Sequence, residues 1–187
     1  ALKLLHGIAQ PRITGSDSTP RICEICAATG REVFLLGAAP GVAALAAERL
    51  QERIPGLRIA GTYSPESRTA GFETYPREVQ EGLRRAGAVF VALGAPAQER
   101  WIRENRRHLE SCRLAVGVGG TFDFIAGVAQ RAPVWMRRTG LEWLYRLLAQ
   151  PSRWRRMLKL PTFARLVLVD WLKSTPAGAL ATAPRTL

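Results

Sequence analysis

The chain has 187 residues, enough for a domain with a real core, and its 47% hydrophobic and 22% charged residues fit a folded globular chain rather than a disordered one. Lys and Arg number 27 against 15 Asp and Glu, a net charge of +12, but residues 131–187 hold 11 basic and 2 acidic residues and residues 1–130 hold 16 and 13. The body is therefore near balance and the C-terminal stretch is a cationic attachment, which calls for an anionic partner: nucleic acid, a phosphorylated substrate or an acidic membrane surface.

The start, Ala1–His6, is too short for a signal peptide, lacks Met and enters in mid-pattern, so the chain is expected to be the trimmed remainder of a longer protein. A helix is expected over 19–28. Cys23-x-x-Cys26 has the spacing of a redox or metal pair. No second pair exists, and His6 and His108 show no ligand spacing, so Cys23, Cys26 and Cys112 are expected to be buried thiols.

Four short, almost continuously apolar runs follow: Val33–Gly37, Leu57–Gly61, Ala88–Gly94 and Leu114–Gly119. Such runs suit strands buried on both faces. Helical patterns at Gly41–Ile54, Tyr75–Ala86 and Ala97–Leu109 separate them. Alternating strands and helices imply βαβ units, and right-handed crossovers then give an α/β, Rossmann-like three-layer sandwich with a mostly parallel sheet. Beyond Gly127 no strand is evident. Residues 131–173 read as a basic helical appendage that carries four of the five Trp, with helical stretches at 140–149, 152–160 and 162–172 broken by Pro133, Pro151 and Pro161. Residues 174–187 read as a frayed tail. The expected organisation is a core over 1–130, the appendage and the tail. No run reaches 18 apolar residues, so no membrane-spanning helix is expected.

In open parallel sheets, ligands bind beyond the carboxyl ends of the strands. The first strand ends in Gly37-Ala-Ala-Pro-Gly41, which is either a plain βα turn or a close backbone approach to an anion at a helix N-terminus. The second runs into Tyr63, which either stacks on a base or sugar or packs on the next helix. The third ends in Gly94-Ala-Pro-Ala-Gln98-Glu99. Gln98 offers a donor and an acceptor to sugar hydroxyls or a uracil edge, whereas Glu99 is also a plausible helix-terminal carboxylate. The fourth ends in Gly119-Gly120-Thr121-Phe-Asp123, which has the look of an anion nest with a hydroxyl-binding carboxylate, or of a capped helix. In the appendage, Arg153 and Arg156 share a helical face by i, i+3 spacing. With Arg146 they could form a diphosphate clamp, or a solvated basic face. The remaining Arg and Trp suit an interfacial amphipathic segment.

Taken in order, Val33–Gly37, Gly94–Trp101 (GAPAQERW), Gly119–Phe124 (GGTFDF) and the stretch from Arg131-Ala-Pro to Gly140-Leu-Glu-Trp-Leu-Tyr-Arg146 resemble the WecG/TagA/CpsF glycosyltransferase family, with similarity from about Arg12 to Arg156. The resemblance implies a Rossmann-like core whose C-terminal appendage completes the site at the membrane. It implies inverting transfer of a hexose or N-acetylhexosamine, such as N-acetylmannosamine, from a UDP-sugar to a polyprenyl-diphosphate-linked acceptor in cell-wall or exopolysaccharide synthesis. It also implies a cytoplasmic enzyme, peripheral on the inner face of the bacterial membrane. It suggests Arg146, Arg153 and Arg156 as the leaving-group clamp and Tyr63, Gln98 and Asp123 as nucleotide or sugar contacts. It places Arg12, in Arg12-Ile-Thr14-Gly15-Ser-Asp17, in the sugar and phosphate pocket. The family's presumed base, an Asp before Gly upstream of that element, has no counterpart here, which leaves Asp17 and Asp123 as candidate substitutes.

The residues agree on separate grounds. Asp occurs only at 17, 123 and 170, and no D-x-D pair is present to clamp a metal on a nucleoside diphosphate. No metal or other cofactor is expected, and Arg is the available cation. A Rossmann-type oxidoreductase would show G-x-G-x-x-G after the first strand and an acidic residue ending the second, and has neither. A nucleic-acid-binding module would carry basic residues over the body as well as the tail, and the body is only +3, so nucleic acid is not expected as a partner. A homo-oligomer stays open.

Overall fold

The computed structural model describes residues 14–133, together with 135, 136, 139, 144, 145, 148, 165–167 and 169. The chain divides into two compact units, Ile13–Gln130 and Ala1–Arg12 with Arg131–Leu187. In the first, the helices are α1 (Gly15–Ala28), α2 (Val42–Arg53), α3 (Arg77–Arg85), α4 (Ala97–Asn105) and α5 (Thr121–Ile125). The strands are β1 (Glu32–Gly37), β2 (Arg58–Tyr63), β3 (Ala88–Ala92) and β4 (Leu114–Gly117). Short 3₁₀ turns lie at Phe72–Thr74 and Arg106–His108.

The sheet is wholly parallel in the order β2-β1-β3-β4. The step from β1 to β2 runs one way and the steps to β3 and β4 run the other. Right-handed crossovers must then put α2 on one face and α3 and α4 on the opposite face. The cores show this. Val33, Leu35, Ala88, Phe90 and Ala92 pack with α1, α2 and α5, whereas Phe34, Leu36, Val89 and Val91 pack with Leu83 of α3 and Trp101 of α4. Alternate residues of β1 and β3 thus feed two separate cores, which is why both central strands are continuously apolar. The result is the expected α/β, Rossmann-like three-layer arrangement.

Several boundaries differ from the sequence expectation. Helix α1 starts four residues early and runs through Pro20. Its start is fixed by tertiary contact: a Cβ at Gly15 would stand 2.7 Å from Thr121 Oγ1. Asp17 lies in the first turn, while Thr14 holds the N-cap and donates to the Asp17 carboxylate at 2.6 Å. Helix α3 begins after Pro76, because Tyr75, directly before that proline, takes extended backbone (φ −82°, ψ 153°). β2 continues past Gly61 to Tyr63 because its pairing with Leu35 and Leu36 continues. β3 and β4 stop two residues short, ahead of turns at Gly94 and Gly119 with positive φ. Helix α4 ends at Asn105 and tightens into the 3₁₀ turn.

In the second unit, Trp135, Met136, Leu144, Tyr145, Leu148, 165–167 and Val169 are helical, and Thr139 Oγ1 donates to the Trp135 and Met136 carbonyls at 3.0 and 3.2 Å. Arg12, Arg146, Arg153, Arg156 and the tail 174–187 lie outside the described residues. Among the described residues no helix is long and apolar enough to cross a membrane.

Two stability predictions follow from this packing. An alanine normally improves a helix over glycine by about 1 kcal/mol. At Gly82 the added Cβ would stand 2.7 Å from the Ala60 carbonyl oxygen and 2.9 Å from the Phe34 ring. Gly82→Ala should therefore destabilise by roughly 1–3 kcal/mol in urea denaturation, and a gain in stability would refute the close approach of α3 to the sheet. Burial pushes the Cys23 thiol from 9.0 up to about 12 and the Tyr75 phenol from 10.0 up to about 12. The unfolded chain ionises first, so their contribution is complete below pH 9 and is lost as pH climbs through 9–12. Urea midpoints should fall across that window; a flat profile would contradict the burial.

Candidate functional site

The carboxyl ends of the strands carry the unusual residues. At the end of β1, Gly37 has φ +105°, and a Cβ there would lie 2.7 Å from the Ala92 carbonyl carbon. Only glycine fits where the backbones of β1 and β3 approach this closely. Ala38 follows at φ +64°, a conformation that costs a non-glycine residue roughly 1–2 kcal/mol. Its N–H donates to Ala92 O at 3.1 Å, which holds it there. Gly41, φ +80°, is the N-cap of α2, and nothing stands within 4 Å of where its Cβ would be, so this turn is open.

The end of β2 is tied to the same turn. Ser64 Oγ donates to Gly37 O at 3.0 Å and to Ala39 O at 3.3 Å. Tyr63 is half-buried, its ring tilted on Tyr75 at 4.9 Å between centroids. The loop that follows brings Arg68 Nη1 to 4.0 Å from the Cβ position of Gly94, at the end of β3. That loop is anchored beyond Arg68 by buried bonds. Phe72 N–H donates to Asn105 Oδ1 at 2.9 Å, and Trp101 Nε1 donates to Tyr75 Oη at 2.8 Å, which in turn donates to Ala70 O at 2.8 Å.

Gln98, in the first turn of α4, is buried. Its Oε1 accepts from the Gly119 N–H at 3.0 Å, and its Nε2 donates to Glu99 Oε1 at 2.7 Å. A Cβ at Gly117 would collide with this amide at 2.5 Å. The Gly119 N–H, which the sequence offered to an anion, is therefore engaged by Gln98. Gln98 holds the β4–α5 turn while Glu99 remains exposed. Thr121 is buried and its hydroxyl donates to Val118 O at 2.7 Å, so it caps that turn. Gly120 is the N-cap of α5, and Asp123 sits half-buried in its first turn.

One connected edge results. Ser64 joins β2 to β1, Gly37 abuts β3, Gln98 joins β3 to β4, and Gly15 abuts the β4–α5 turn. Helices α1, α2 and α4 all present their N-termini here, where free N–H groups and the macrodipole favour an anion. The point where the strand order reverses, between β1 and β3, lies at its centre. Sequence reasoning missed Ser64, Arg68 and Asn105; a serine or arginine in a loop and an asparagine late in a helix carry no local motif. Among the described residues no three His, Cys, Asp or Glu side chains cluster to hold a metal, and Cys23, Cys26 and Cys112 are free thiols whose pKa burial raises.

Residues 1–177 match the family described as "Glycosyl transferase WecG/TagA/CpsF family". Over 168 residues the chain is 41% identical to an N-acetylglucosaminyldiphosphoundecaprenol N-acetyl-beta-D-mannosaminyltransferase of Bacillus spizizenii strain W23, covering 89% of this chain and 63% of that protein. Over 170 residues it is 38% identical to a protein of the same name from Bacillus subtilis strain 168, covering 90% and 64% respectively. The chain thus spans less than two thirds of the length of these relatives.

The Gln98 bond gives a direct test of how the edge is held. Gln98→Ala removes the acceptor for Gly119 N–H and should cost roughly 1–2 kcal/mol in urea denaturation. The Gly119 amide should also exchange faster by NMR. Unchanged stability and unchanged exchange would show that the turn holds itself.

Proposed function

The chain belongs to the WecG/TagA/CpsF glycosyl transferase family, and on that premise we propose that it moves a sugar from a UDP-sugar to a polyprenyl-diphosphate-linked acceptor. An N-acetylhexosamine such as N-acetylmannosamine is the donor sugar most in keeping with the names of its relatives, and N-acetylglucosaminyl-diphosphoundecaprenol is the matching acceptor. The observation that carries the reading is the edge between β1 and β3. The Gly37, Gly94 and Gly119 turns follow neighbouring strands at this carboxyl edge, beside helix N-termini, and strand order reverses between β1 and β3, which is where such sheets take nucleotides.

The donor would lie along Gly37, Gly41, Tyr63, Gly94, Gln98, Glu99, Gly119, Gly120, Thr121 and Asp123, with Arg12 toward the sugar and phosphate. In an inverting, metal-independent transfer, the acceptor hydroxyl attacks C1 as the C1–O bond to UDP breaks, and negative charge grows on the departing diphosphate. Arg146, Arg153 and Arg156 meet that charge, and a carboxylate takes the acceptor's proton. The net charge of +9 over residues 131–187, with four Trp, supports peripheral attachment to an anionic membrane beside the lipid-linked acceptor.

Calorimetry with UDP, followed by transfer from UDP-sugars to a short-chain lipid-diphosphate acceptor, tests the reading. UDP should bind with an affinity that EDTA leaves unchanged. Arg153→Ala should lower kcat roughly 10²-fold, about 2.7 kcal/mol, with a smaller effect on KM, because the interaction strengthens in the transition state. Strictly Mg²⁺-dependent UDP binding, or full activity of the variant, would overturn the arginine clamp.

A further inference from the structure

The opposite edge of the same sheet, at the amino ends of the strands, carries a cavity of about 350 Å³ lined by Arg31, Arg58, Arg85, Glu32 and Ser111, with Gly30 and Gly87 as backbone walls. That volume is within the range of small-molecule sites, ~300–1,000 Å³. The sheet separates it from the strand ends described above: the six residues of β1 alone span roughly 17 Å.

Three arginines and one glutamate line this open hollow. Arg85 Nε pairs with Glu32 Oε2 at 3.2 Å, and Arg85 Nη2 donates to Ala60 O at 3.3 Å. Arg31 and Arg58 have no ion-pair partner among the described residues. Both exposed side chains lie beside glycine backbone. The stem of Arg31 lies across Gly87, where a Cβ would stand 2.9 to 3.2 Å from its Cβ, Cγ and Cδ. Arg58 Nη2 lies 3.6 Å from the Cβ position of Gly30. Glu32 and the C-terminal end of α3, which finishes at Arg85, are the negative features here, and the three guanidiniums outweigh them.

We propose that this cavity is a binding site for a phosphate-bearing anion, separate from the strand-end site. The net lining charge of +2 attracts an anion, and planar guanidinium forks match phosphate oxygens in pairs. Like charges gathered around a concavity repel one another until a counter-anion enters, so occupancy relieves a repulsion that the fold imposes. The site stands whether or not the strand-end edge takes UDP.

The test is calorimetric titration of the whole chain with pyrophosphate, with and without saturating UDP, beside the double variant Arg31→Gln/Arg58→Gln. Both positions are exposed, and a thermal melt verifies that the variant folds. Pyrophosphate should bind in the presence of UDP, and the double variant should weaken that binding at least ~10-fold, as expected for lost charge-assisted bonds. Its UDP titration should match that of the unaltered chain. Sedimentation with phosphatidylglycerol vesicles separates the sources of the phosphate. Unchanged vesicle binding by the variant assigns a soluble anion, and a matching fall assigns a lipid headgroup. Pyrophosphate and vesicle binding that are both unaltered in the variant, or both absent in the unaltered chain, would overturn the site. If UDP itself fails to bind, the pyrophosphate titration alone still decides.

Discussion

Where β1 and β3 leave the sheet, their backbones stand closer than any side chain allows: a Cβ at Gly37 would meet the carbonyl carbon of Ala92. The two strands are paired from Val33↔Ala88 to Gly37↔Ala92, and their alternate residues enter opposite cores. After Gly37 the chain crosses toward β2, and after Ala92 it crosses toward β4. The two loops must diverge, and the gap between them opens directly above the close approach of Gly37 to Ala92. The crevice thus follows from topology and from one glycine, before any polar residue is considered.

The polar side chains around that gap mostly hold it in shape. Ser64 and Gln98 bond to backbone of a neighbouring segment and Thr121 to the backbone of its own turn, and the buried ones could not be left unpaired without a penalty. At the described edge this leaves backbone N–H groups at helix starts, half-buried Tyr63 and Asp123, and exposed Arg68 and Glu99 as the groups able to face a ligand. For a diphosphate leaving group that division is chemically sensible. In the proposed transfer the scaffold would supply fixed dipoles, and guanidinium groups would neutralise the departing anion.

The central strands were legible because burial on both faces leaves a continuous apolar run. Less visible were features set by contacts distant in sequence. The first helix was expected from residue 19, yet the contact of Gly15 with Thr121, more than a hundred residues away, decides where α1 begins. Gln98 was recognisable as a strand-end amide, but its partner, the Gly119 N–H, depends on the packing of α4 over β4. Arg68 and Ser64 carried no motif and became visible only when β2 was laid beside β1. The amino-end arginines looked like ordinary charge until the strand order placed Arg31, Arg58 and Arg85 around one cavity.

The central claim is that nucleotide enters at the carboxyl edge between β1 and β3. Amide hydrogen exchange with and without UDP tests it most directly. The claim predicts added protection in the segments 37–42, 94–100 and 118–123, with segments 29–32 and 85–88 at the amino edge unchanged. Protection confined to the amino-edge segments, or absent from all three carboxyl-edge segments while UDP is bound, would contradict it.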